Sequence, residues 1–402
     1  DIELDYKKPY NIYGGTQDDA TVFGPAKEWR NEFNDPWKYL WIDAWDGGDG
    51  CITRVDPNDS SILYFSMQNG AIRRKNLMTE KSKSIKPILP DYINDTLKYN
   101  FITPYFISYH NSNTLYHAGN YIFKSENKGE NWKVVSHNLT KSKKYPQKKS
   151  TAAGAIAESK IQKGLLYVGT DKGIFWSSKD DGKTWKENSD NISDGYIRGI
   201  HPSLYKKSRV YMSMTGINYD DLNNYMYVSE NYGEEWKRLK GNLPNEPVNL
   251  IIEDHKFENI LYAGMYRGVY ISLDKGSSWN LIGNDFPMSS VSDIEIDKET
   301  NDMIVASHGR GIYKINLNPI HNYFINRNIL EDDKILNTEK FILPKFNDTH
   351  REPIMNTYEK VPISFYLNKE KKYSLIIKDS KDRKSTRLNS SHSSVSRMPS
   401  SA

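Results

Sequence analysis

The sequence has almost no cysteine, no long apolar run and no strong excess of charge of one sign. Cys51 is the only cysteine among 402 residues, which excludes an intrachain disulfide framework and a cysteine metal cluster. No apolar run approaches the length of a membrane span, so we expect none in this chain. No D-x-D-x-D-G loop occurs either, and we predict neither a metal site nor a cofactor.

The charge of the chain is nearly balanced, with 55 Lys and Arg against 51 Asp and Glu. Residues 381–402 contain five basic residues and one acidic residue, so this tail accounts for the whole net charge of +4. A nucleic-acid-binding surface needs clustered basic residues. We therefore expect no nucleic-acid partner.

A turn motif, S-x-[D/N]-x-G-x-x-W, occurs four times, and its tryptophans are 53, 51 and 43 residues apart. Asp or Asn can bond its own backbone two residues on, and Gly accepts a positive φ, so the motif suits a hairpin turn. The sixteen motif residues are Ser125, Asn127, Gly129, Trp132, Ser178, Asp180, Gly182, Trp185, Ser229, Asn231, Gly233, Trp236, Ser272, Asp274, Gly276 and Trp279.

A second pattern, an aromatic or aliphatic run that ends in small residues, occurs seven times. Its anchors are Tyr13, Tyr64, Tyr116, Tyr167, Tyr211, Tyr262 and Val305, at steps of 51, 52, 51, 44, 51 and 43 residues. Four short strands fit each repeat, for example 153–158, 165–169, 173–178 and 184–188 in the fourth. Seven four-stranded units predict an all-β protein with a seven-bladed β-propeller.

The ends of this pattern predict the domain boundaries. The propeller covers residues 1–317, and its last blade shows only three strands, so we expect its closing strand upstream of Asp1. Residues 318–360 are predicted to be a linker, and 361–380 the first strands of a truncated β-sandwich. Residues 381–402 are Ser-rich and resemble an artefactual tail, for which we expect disorder.

The four turns resemble the Asp-box (BNR) repeat of sialidases, two-propeller xyloglucanases and sortilin-type receptors. The resemblance implies that each box is a structural turn on the outer rim, away from the ligand. In addition, the order Tyr13-Gly-Gly-Thr-Gln-Asp-Asp19, Gly47-Gly-Asp-Gly50 and Ser307-His-Gly-Arg-Gly-Ile312 resembles large bacterial exported proteins with sortilin-type double propellers, often labelled glycosyl hydrolases. This resemblance implies a secreted, periplasmic or cell-surface location and an upstream propeller in the full-length chain.

In a propeller with strands A to D, the B–C and D–A loops share one face, and the box turns lie on the other. We therefore expect function on the B–C side. The candidates for catalysis there are Asp18, Asp19, Asp46 and Asp49. The candidates for ligand binding are Gln17, Trp41, Trp45, Arg198, Tyr266, Arg267, His308 and Arg310. Further polar positions on this side are Gln68, Asp171, Asn249 and Asp293.

The segment 41–50 has two interpretations. It can form a tight glycine turn with buried Trp, or a sugar platform in which Trp stacks on a pyranose and Asp binds hydroxyls. A catalytic version pairs Asp46 or Asp49 with Asp18 or Asp19. Glycosidases need carboxyl groups about 5–5.5 Å apart for retention or about 6.5–9.5 Å apart for inversion.

Arg310 also has two interpretations. We favour a structural role in which Arg310 braces the axial channel by pairing with Asp18 or Asp49. Alternatively, Arg310, Arg267 and Arg198 clamp a carboxylate, as sialidases do with arginines. The sialidase Tyr/Glu nucleophile pair is not recognisable, so sialidase activity is not expected.

Three hypotheses for function follow, in order of preference. The first is a binding module that recognises a protein, peptide or glycan at the propeller mouth outside the cytoplasm. The second is a glycoside hydrolase that cleaves a polysaccharide with paired Asp carboxylates. The third is a purely structural module, which predicts no polar pocket. The sequence alone leaves the question of catalysis open.

Overall fold

The computed structural model describes residues 1–18, 20–26, 35–40, 48–142, 144–147, 149–283, 286–327, 334–337 and 364–366. It confirms an almost entirely β protein with a seven-bladed propeller arrangement. Each blade is an antiparallel meander in which consecutive strands A to D pair in chain order. The sequence period and the blade period therefore coincide.

The first four blades are four-stranded sheets. Blade 1 contains β1 (Ile2–Leu4), β2 (Asn11–Gly15), β3 (Thr21–Pro25) and β4 (Lys38–Leu40). Blade 2 contains β5 (Thr53–Val55), β6 (Ile62–Ser66), β7 (Ile72–Asn76) and β8 (Ser82–Ser84). Blade 3 contains β9 (Tyr105–Ile107), β10 (Leu115–Ala118), β11 (Ile122–Ser125) and β12 (Lys133–Val134). Blade 4 contains β13 (Ala153–Glu158), β14 (Leu166–Thr170), β15 (Phe175–Ser178) and β16 (Lys186–Glu187).

The last three blades complete the ring. Blade 5 contains β17 (Tyr196–Pro202), β18 (Val210–Gly216), a 3-10 turn (Ile217–Tyr219), β19 (Asp221–Ser229) and β20 (Lys237–Arg238). Blade 6 contains β21 (Val248–Glu253), β22 (Leu261–Met265), β23 (Gly268–Ser272) and β24 (Asn280–Ile282). Blade 7 has three strands in the described part of the chain, namely β25 (Val291–Ile296), β26 (Asp302–Ser307) and β27 (Ile312–Asn316).

The second strand of each blade provides the buried core. The six anchor tyrosines of the repeat, Tyr13, Tyr64, Tyr116, Tyr167, Tyr211 and Tyr262, are all among the largest fully buried side chains. Neighbouring blades share apolar clusters; one joins Tyr167 and Phe175 of blade 4 to Met212 and Tyr227 of blade 5. Burial of these rings between sheets stabilises the fold by removing large apolar surfaces from water.

Blades 1 and 7 pack against each other. The amide of Ile2 on β1 donates to Asp293 Oδ2 on β25 at 2.9 Å. Ile2 and Ile12 also share an apolar cluster with Ile304 and Ala306 of blade 7. The first and last blades thus form a direct seam in which β1 contacts β25.

The four S-x-[D/N]-x-G-x-x-W turns join strands C and D of blades 3 to 6. In blade 5, Ser229 Oγ accepts the Gly233 amide at 2.9 Å, and Asn231 Oδ1 accepts the Glu235 amide at 2.9 Å. Tyr232 and Gly233 both have positive φ, as a type I′ hairpin turn requires. Every described hydrogen bond of the Ser229 hydroxyl closes the turn itself, which agrees with a scaffold role.

The motif tryptophans join neighbouring blades. Trp132 Nε1 donates to the Ile85 carbonyl of blade 2 at 2.8 Å, and Trp185 Nε1 donates to the Val135 carbonyl of blade 3 at 2.8 Å. Trp236 reaches the Asn188 carbonyl of blade 4 in the same way. These three indoles therefore each link their own turn to the residue that follows the outer strand of the preceding blade, whereas the Trp279 indole donates to the Gly276 carbonyl of its own turn.

The chain divides into two compact units. The first consists of Asp1–Asp297 and Ile304–Lys314, and the second consists of Lys298–Met303 with the described residues from Ile315 onward. The second unit contains a helix, α1 (Asn318–Asn326), that begins with a proline in its first turn. It also contains a two-stranded sheet of β28 (Lys334–Asn337) and β29 (Ser364–Tyr366).

These elements fall within the predicted linker and sandwich. Helix α1 and β28 lie in the segment 318–360 that we interpreted as a linker, and β28 pairs with β29 from the segment 361–380. The second strand predicted there, residues 372–379, and the tail 381–402 lie outside the described residues.

Candidate functional site

The B–C turns and the D–A connections lie on the same side of the propeller because each blade is an antiparallel meander. We call this side the B–C face and the side with the A–B and C–D turns the C–D face. The connection before β9 bonds the B–C turn of blade 2, where the Asn69 amide donates to the Phe101 carbonyl at 3.0 Å. All the predicted site residues that the structure describes belong to the B–C face.

The acidic candidates on blades 1 and 2 form a hydrogen-bonded turn. Asp18 has a positive φ of 64°, and its amide donates to Asp49 Oδ1 at 3.0 Å. The Asp49 amide in turn donates to Gln68 Oε1 at 3.1 Å. The carboxylate of Asp49 therefore stabilises the B–C turn of blade 1, while the side chain of Asp18 is exposed.

Four candidates belong to parts of the chain that the structure does not describe. Asp19, Trp41, Trp45 and Asp46 lie outside the described residues. The predicted sugar platform and the predicted carboxyl pair that includes Asp46 therefore stay predictions. Gln17 is described and exposed beside Asp18.

Three basic candidates lie on successive blades of the B–C face, and we call them the arginine arc. Arg198 lies near the start of β17 in blade 5, and Arg267 and Arg310 lie in the B–C turns of blades 6 and 7. Among the described residues, Arg198 and Arg310 have no hydrogen bond or ion pair through their guanidinium groups; Arg198 lies 6.0 Å from the ring of Tyr196. Two exposed guanidinium groups therefore remain available to a ligand.

Arg267 is positioned by a buried carboxylate. Its Nε lies 3.4 Å from Glu246 Oε2, while 67% of the Arg267 side chain stays exposed. Burial raises the pKa of Glu246, and Arg267 opposes that rise by stabilising the charged form. Glu246 thus anchors one edge of the guanidinium and leaves the other edges in solvent.

Tyr266 and His308 extend the exposed surface of blades 6 and 7. Tyr266 is exposed at the tip of its B–C turn, next to Arg267. His308 has an exposed side chain, and its backbone is held by the Ser290 carbonyl at 2.8 Å and by Ser289 Oγ at 3.0 Å. The backbone of this turn is fixed while its imidazole faces solvent.

Several other polar residues of this face are engaged within the fold. Asn249 Nδ2 donates to Ser290 Oγ at 2.9 Å and to the Val291 carbonyl at 2.7 Å, which ties blade 6 to blade 7. Asp171 accepts Ser150 Oγ at 2.7 Å and the Thr151 amide at 2.9 Å. These side chains, like Asp293 at the seam, contribute to the scaffold.

The charged residue that braces the inner strands is Arg54, not Arg310. Arg54 on β5 donates to Asp1 Oδ1 at 2.7 Å and lies 3.3 Å from Glu3 Oε2 on β1. Burial raises the pKa of Glu3 to about 8, although Arg54 acts in the opposite direction. Arg310 pairs with neither Asp18 nor Asp49, so the structural role that we favoured for it is not the one it has.

The motif analysis missed the connection at residues 85–104, between blades 2 and 3. It exposes several large apolar side chains, namely Ile88, Tyr92, Phe101 and Ile102. It also lines a polar cavity of about 380 Å³ with residues of the connection between blades 3 and 4. This connection follows blade 2, the last blade before the series of tryptophan turns begins, and the start of that series was the available signal.

Among the described residues, no group of three His, Cys, Asp or Glu side chains is placed to hold a metal ion. The described helices include none that is long and apolar enough to cross a membrane.

Comparison with known proteins identifies the fold. No family model and no curated protein matches this sequence. The crystal structure of a GH74 xyloglucanase from Xanthomonas campestris is similar, with a TM-score of 0.54 and 14% identity over 76% of this chain and 50% of that chain. YCF48 from Cyanidioschyzon merolae is similar with a TM-score of 0.55 and 10% identity over 78% of this chain and 93% of that chain.

The chain therefore spans half the length of the xyloglucanase chain that it matches. At these identities the two similarities establish the propeller architecture alone. The chain is a seven-bladed β-propeller with an exposed arginine arc on its B–C face.

Proposed function

We propose that this propeller is a non-catalytic binding module that holds a carboxylate-bearing peptide, protein or glycan at the arginine arc. The observation that carries the proposal is the contrast within the B–C face. Arg198, Arg267 and Arg310 expose their guanidinium groups on three successive blades, whereas the carboxylate of Asp49 already bonds the Asp18 amide.

An arginine arc suits anionic groups for a physical reason. A guanidinium presents several N–H donors in one plane and can hold a carboxylate by two parallel hydrogen bonds. The exposed Tyr266 and His308 beside the arc add an aromatic surface and further hydrogen-bonding groups. These side chains match a ligand that carries both an anionic group and an apolar or ring surface.

The same resemblances in sequence support a finer version of the proposal. The S-x-[D/N]-x-G-x-x-W turns support a sortilin-like, BNR-type binding propeller, secreted, periplasmic or at the cell surface, with an upstream propeller as a neighbour in the full-length chain. The propeller fold shared with YCF48 and with a xyloglucanase is compatible with this proposal.

Binding screens with matched variants test the proposal. The purified chain is applied to an array of neutral, uronate-bearing and sialylated glycans and to a random twelve-residue peptide library. We expect carboxylate-bearing ligands to be retained, and Arg267→Ala with Arg310→Ala to weaken them about tenfold or more.

The control removes two cations from the C–D face, where Lys183 and Lys207 are exposed. Lys183→Gln with Lys207→Gln should leave the affinity unchanged. Equal losses in both double variants would show non-specific charge attraction and would contradict the proposal. A retained ligand that is indifferent to the arginine variants would do the same.

A glycoside hydrolase is the second candidate, and the exposed carboxylate of Asp18 at the mouth supports it. The test is the release of reducing ends from xyloglucan and from acidic polysaccharides. Hydrolysis by the wild-type chain that is abolished in Asp18→Asn would establish the enzyme. The binding module predicts no hydrolysis by either protein.

A further inference from the structure

The connection at 85–104 is rigidly attached to three blades although it has no regular secondary structure. The Lys98 amide donates to Asn120 Oδ1 at 2.9 Å, and the Asn120 amide donates to the Lys98 carbonyl at 3.0 Å. These two bonds tie the connection to the B–C turn of blade 3. Asn100 Nδ2 donates to the Ala153 carbonyl at the start of blade 4 at 2.8 Å. The connection is therefore a fixed part of the B–C face.

Tyr99 packs the connection against two glycines. A Cβ on Gly70 would lie 2.6 Å from the Tyr99 ring, and a Cβ on Gly119 would lie 2.5 Å from the Lys98 carbonyl oxygen. The B–C turns of blades 2 and 3 thus leave room for the Tyr99 ring and the Lys98 backbone only because Gly70 and Gly119 have no side chains. Such close packing holds the residues on either side of Tyr99 in one conformation.

This fixed backbone holds large apolar side chains in solvent. Ile88 and Tyr92 are 83% and 81% exposed, and Phe101 and Ile102 are 55% and 43% exposed. We call these four residues the apolar ridge. Groups of exposed large apolar side chains mark interaction sites on soluble proteins, and Phe101 and Ile102 are adjacent in the chain.

A positively charged cavity lies beside the ridge, and we call it the lysine pocket. Its lining includes Lys98, Lys141 and Lys149 but only one carboxylate, Asp95. Asp95 bonds Lys141 at 2.9 Å and Asn138 at 2.8 Å, so its charge is already matched. The ammonium groups of Lys98 and Lys149 make no hydrogen bond or ion pair with the described residues.

The ridge and the pocket are close enough for one ligand. Tyr92 precedes Asp95 by three residues, and Phe101 follows Lys98 by three residues. Three residues span at most about 11 Å, so each end of the pocket's own segment carries a ridge residue within the length of a short peptide. Apolar contact and unmatched positive charge are thus offered together.

We propose that the apolar ridge and the lysine pocket form a second docking site, which takes an acidic peptide segment of a partner protein. A Glu or Asp side chain of the peptide enters the pocket between Lys98 and Lys149, and its apolar side chains cover Phe101 and Ile102. A peptide fits better than a sugar because the ridge offers two isoleucines beside two aromatic rings, and apolar peptide side chains can cover both kinds of surface, whereas a sugar ring stacks on the aromatic faces alone. The site lies on the B–C face at blades 2 to 4, whereas the arginine arc lies at blades 5 to 7, so the two sites are independent.

The test uses a random twelve-residue peptide library, selected on the Arg267→Ala with Arg310→Ala variant so that peptides of the arginine arc are not retained, followed by fluorescence anisotropy of the selected peptides on the wild-type chain and its variants. We expect peptides that combine Glu or Asp with large apolar residues. Lys98→Gln with Lys149→Gln should weaken them about tenfold, and Phe101→Ser with Ile102→Ser by a similar factor. All four side chains are exposed, so the variants should fold like the wild type.

Two controls separate this site from the arginine arc and from general charge effects. Arg267→Ala with Arg310→Ala, and Lys183→Gln with Lys207→Gln, should each leave the affinity of these peptides unchanged. Failure to select any acidic and apolar peptide, or affinity unaffected by the Lys98 and Lys149 variant, would overturn the site. Selective binding of polygalacturonate through Lys98 and Lys149 would also overturn it, in favour of an acidic glycan.

Discussion

Six buried tyrosines show how single residues define the blades. Each lies eight positions after an Asp or Ser that directly follows strand A, as in Asp5 and Tyr13 or Asp254 and Tyr262. The polar residue accepts an amide two positions on; Asp254 bonds the Lys256 amide at 2.7 Å, and Ser203 bonds the Tyr205 amide at 3.1 Å. In blades 1 and 6 the tyrosine also donates to this Asp, at 3.2 and 2.8 Å.

The anchor tyrosines were predicted from spacing, whereas their polar partners were not. Asp and Ser are frequent in turns, so a lone Asp5 or Ser203 carries little information. The constant separation of eight residues was the signal, and Asp297 and Val305 keep it in blade 7. Hydrogen bonding within each turn explains the spacing.

His117 and His201 are neutral imidazoles inside the propeller, and they make stability depend on pH. Burial lowers the pKa of each to about 3 from about 6.5. Between these values the unfolded chain binds protons that the folded chain does not, so the free energy of unfolding falls as the pH drops from 6.5 towards 3. The contribution of His117 should be up to about 1.4 kcal/mol per pH unit.

The variant His117→Phe should therefore show a flatter dependence of thermal midpoint on pH between 6.5 and 4 than the wild type. Phe suits the site because His117 is surrounded by the rings of Tyr99, Tyr105 and Trp132. His308→Gln, a change at an exposed imidazole, is the control and should leave the slope as it is. An unchanged slope in His117→Phe would show that this histidine is not neutral in the fold.

At the scale of elements, the sequence predicts the C–D turns well and the connections between blades poorly. The four tryptophan turns were located residue by residue because Ser, Asp or Asn, Gly and Trp each have a local role. The connection at 85–104 has no such periodic signal, since its conformation depends on Tyr99 packing on Gly70 and Gly119 of two other turns. Packing between distant segments is not encoded in local spacing.

The turn serine of each motif should be required for stability. Ser229→Ala removes the acceptor of the Gly233 and Asn231 amides, and leaving such donors unpaired costs about 1–3 kcal/mol. Chemical denaturation measures this loss. Ser277→Ala, at an exposed serine of another turn, should change the free energy of unfolding by less than about 0.5 kcal/mol. Equal effects of the two changes would refute the role assigned to the buried hydroxyl.

A methyl group on Gly119 should displace the 85–104 connection. Gly119→Ala would place Cβ 2.5 Å from the Lys98 carbonyl oxygen, so we expect a loss of about 1–3 kcal/mol and faster proteolysis within 85–104. Gly14→Ala is the matched control, because its nearest contact would be 3.7 Å away. Proteolysis at the wild-type rate in Gly119→Ala would mean that the connection is not held in the way described.

At the scale of the whole molecule, periodicity predicted the number of blades but not which charged residues at the propeller mouth pair with each other. The arginine arc was anticipated because Arg198, Arg267 and Arg310 break the pattern that other blades keep. The partners that we preferred for Arg310 are wrong, and the pairing of Arg54 with Asp1 and Glu3 was missed, because it depends on how the inner strands of blades 1 and 2 meet. Inter-blade contacts of this kind require coordinates.

We infer that the propeller has a binding face, the B–C face, and a scaffold face, the C–D face. Asp49, Asn249 and Asp171 fix the backbone of the B–C face, and the arc remains in solvent. On the C–D face, by contrast, Ser125, Ser178, Ser229 and Ser272 all bond within their own turns. A ligand should therefore perturb one face only.

Hydrogen–deuterium exchange, with and without the tightest ligand from the glycan and peptide screens, shows which face of the propeller binds. We predict slower exchange in the B–C turns and D–A connections, and unchanged exchange in the four C–D turns around Gly129, Gly182, Gly233 and Gly276. Protection centred on the C–D turns, or the absence of any retained ligand from both screens, would refute the assignment of the B–C face as the binding face.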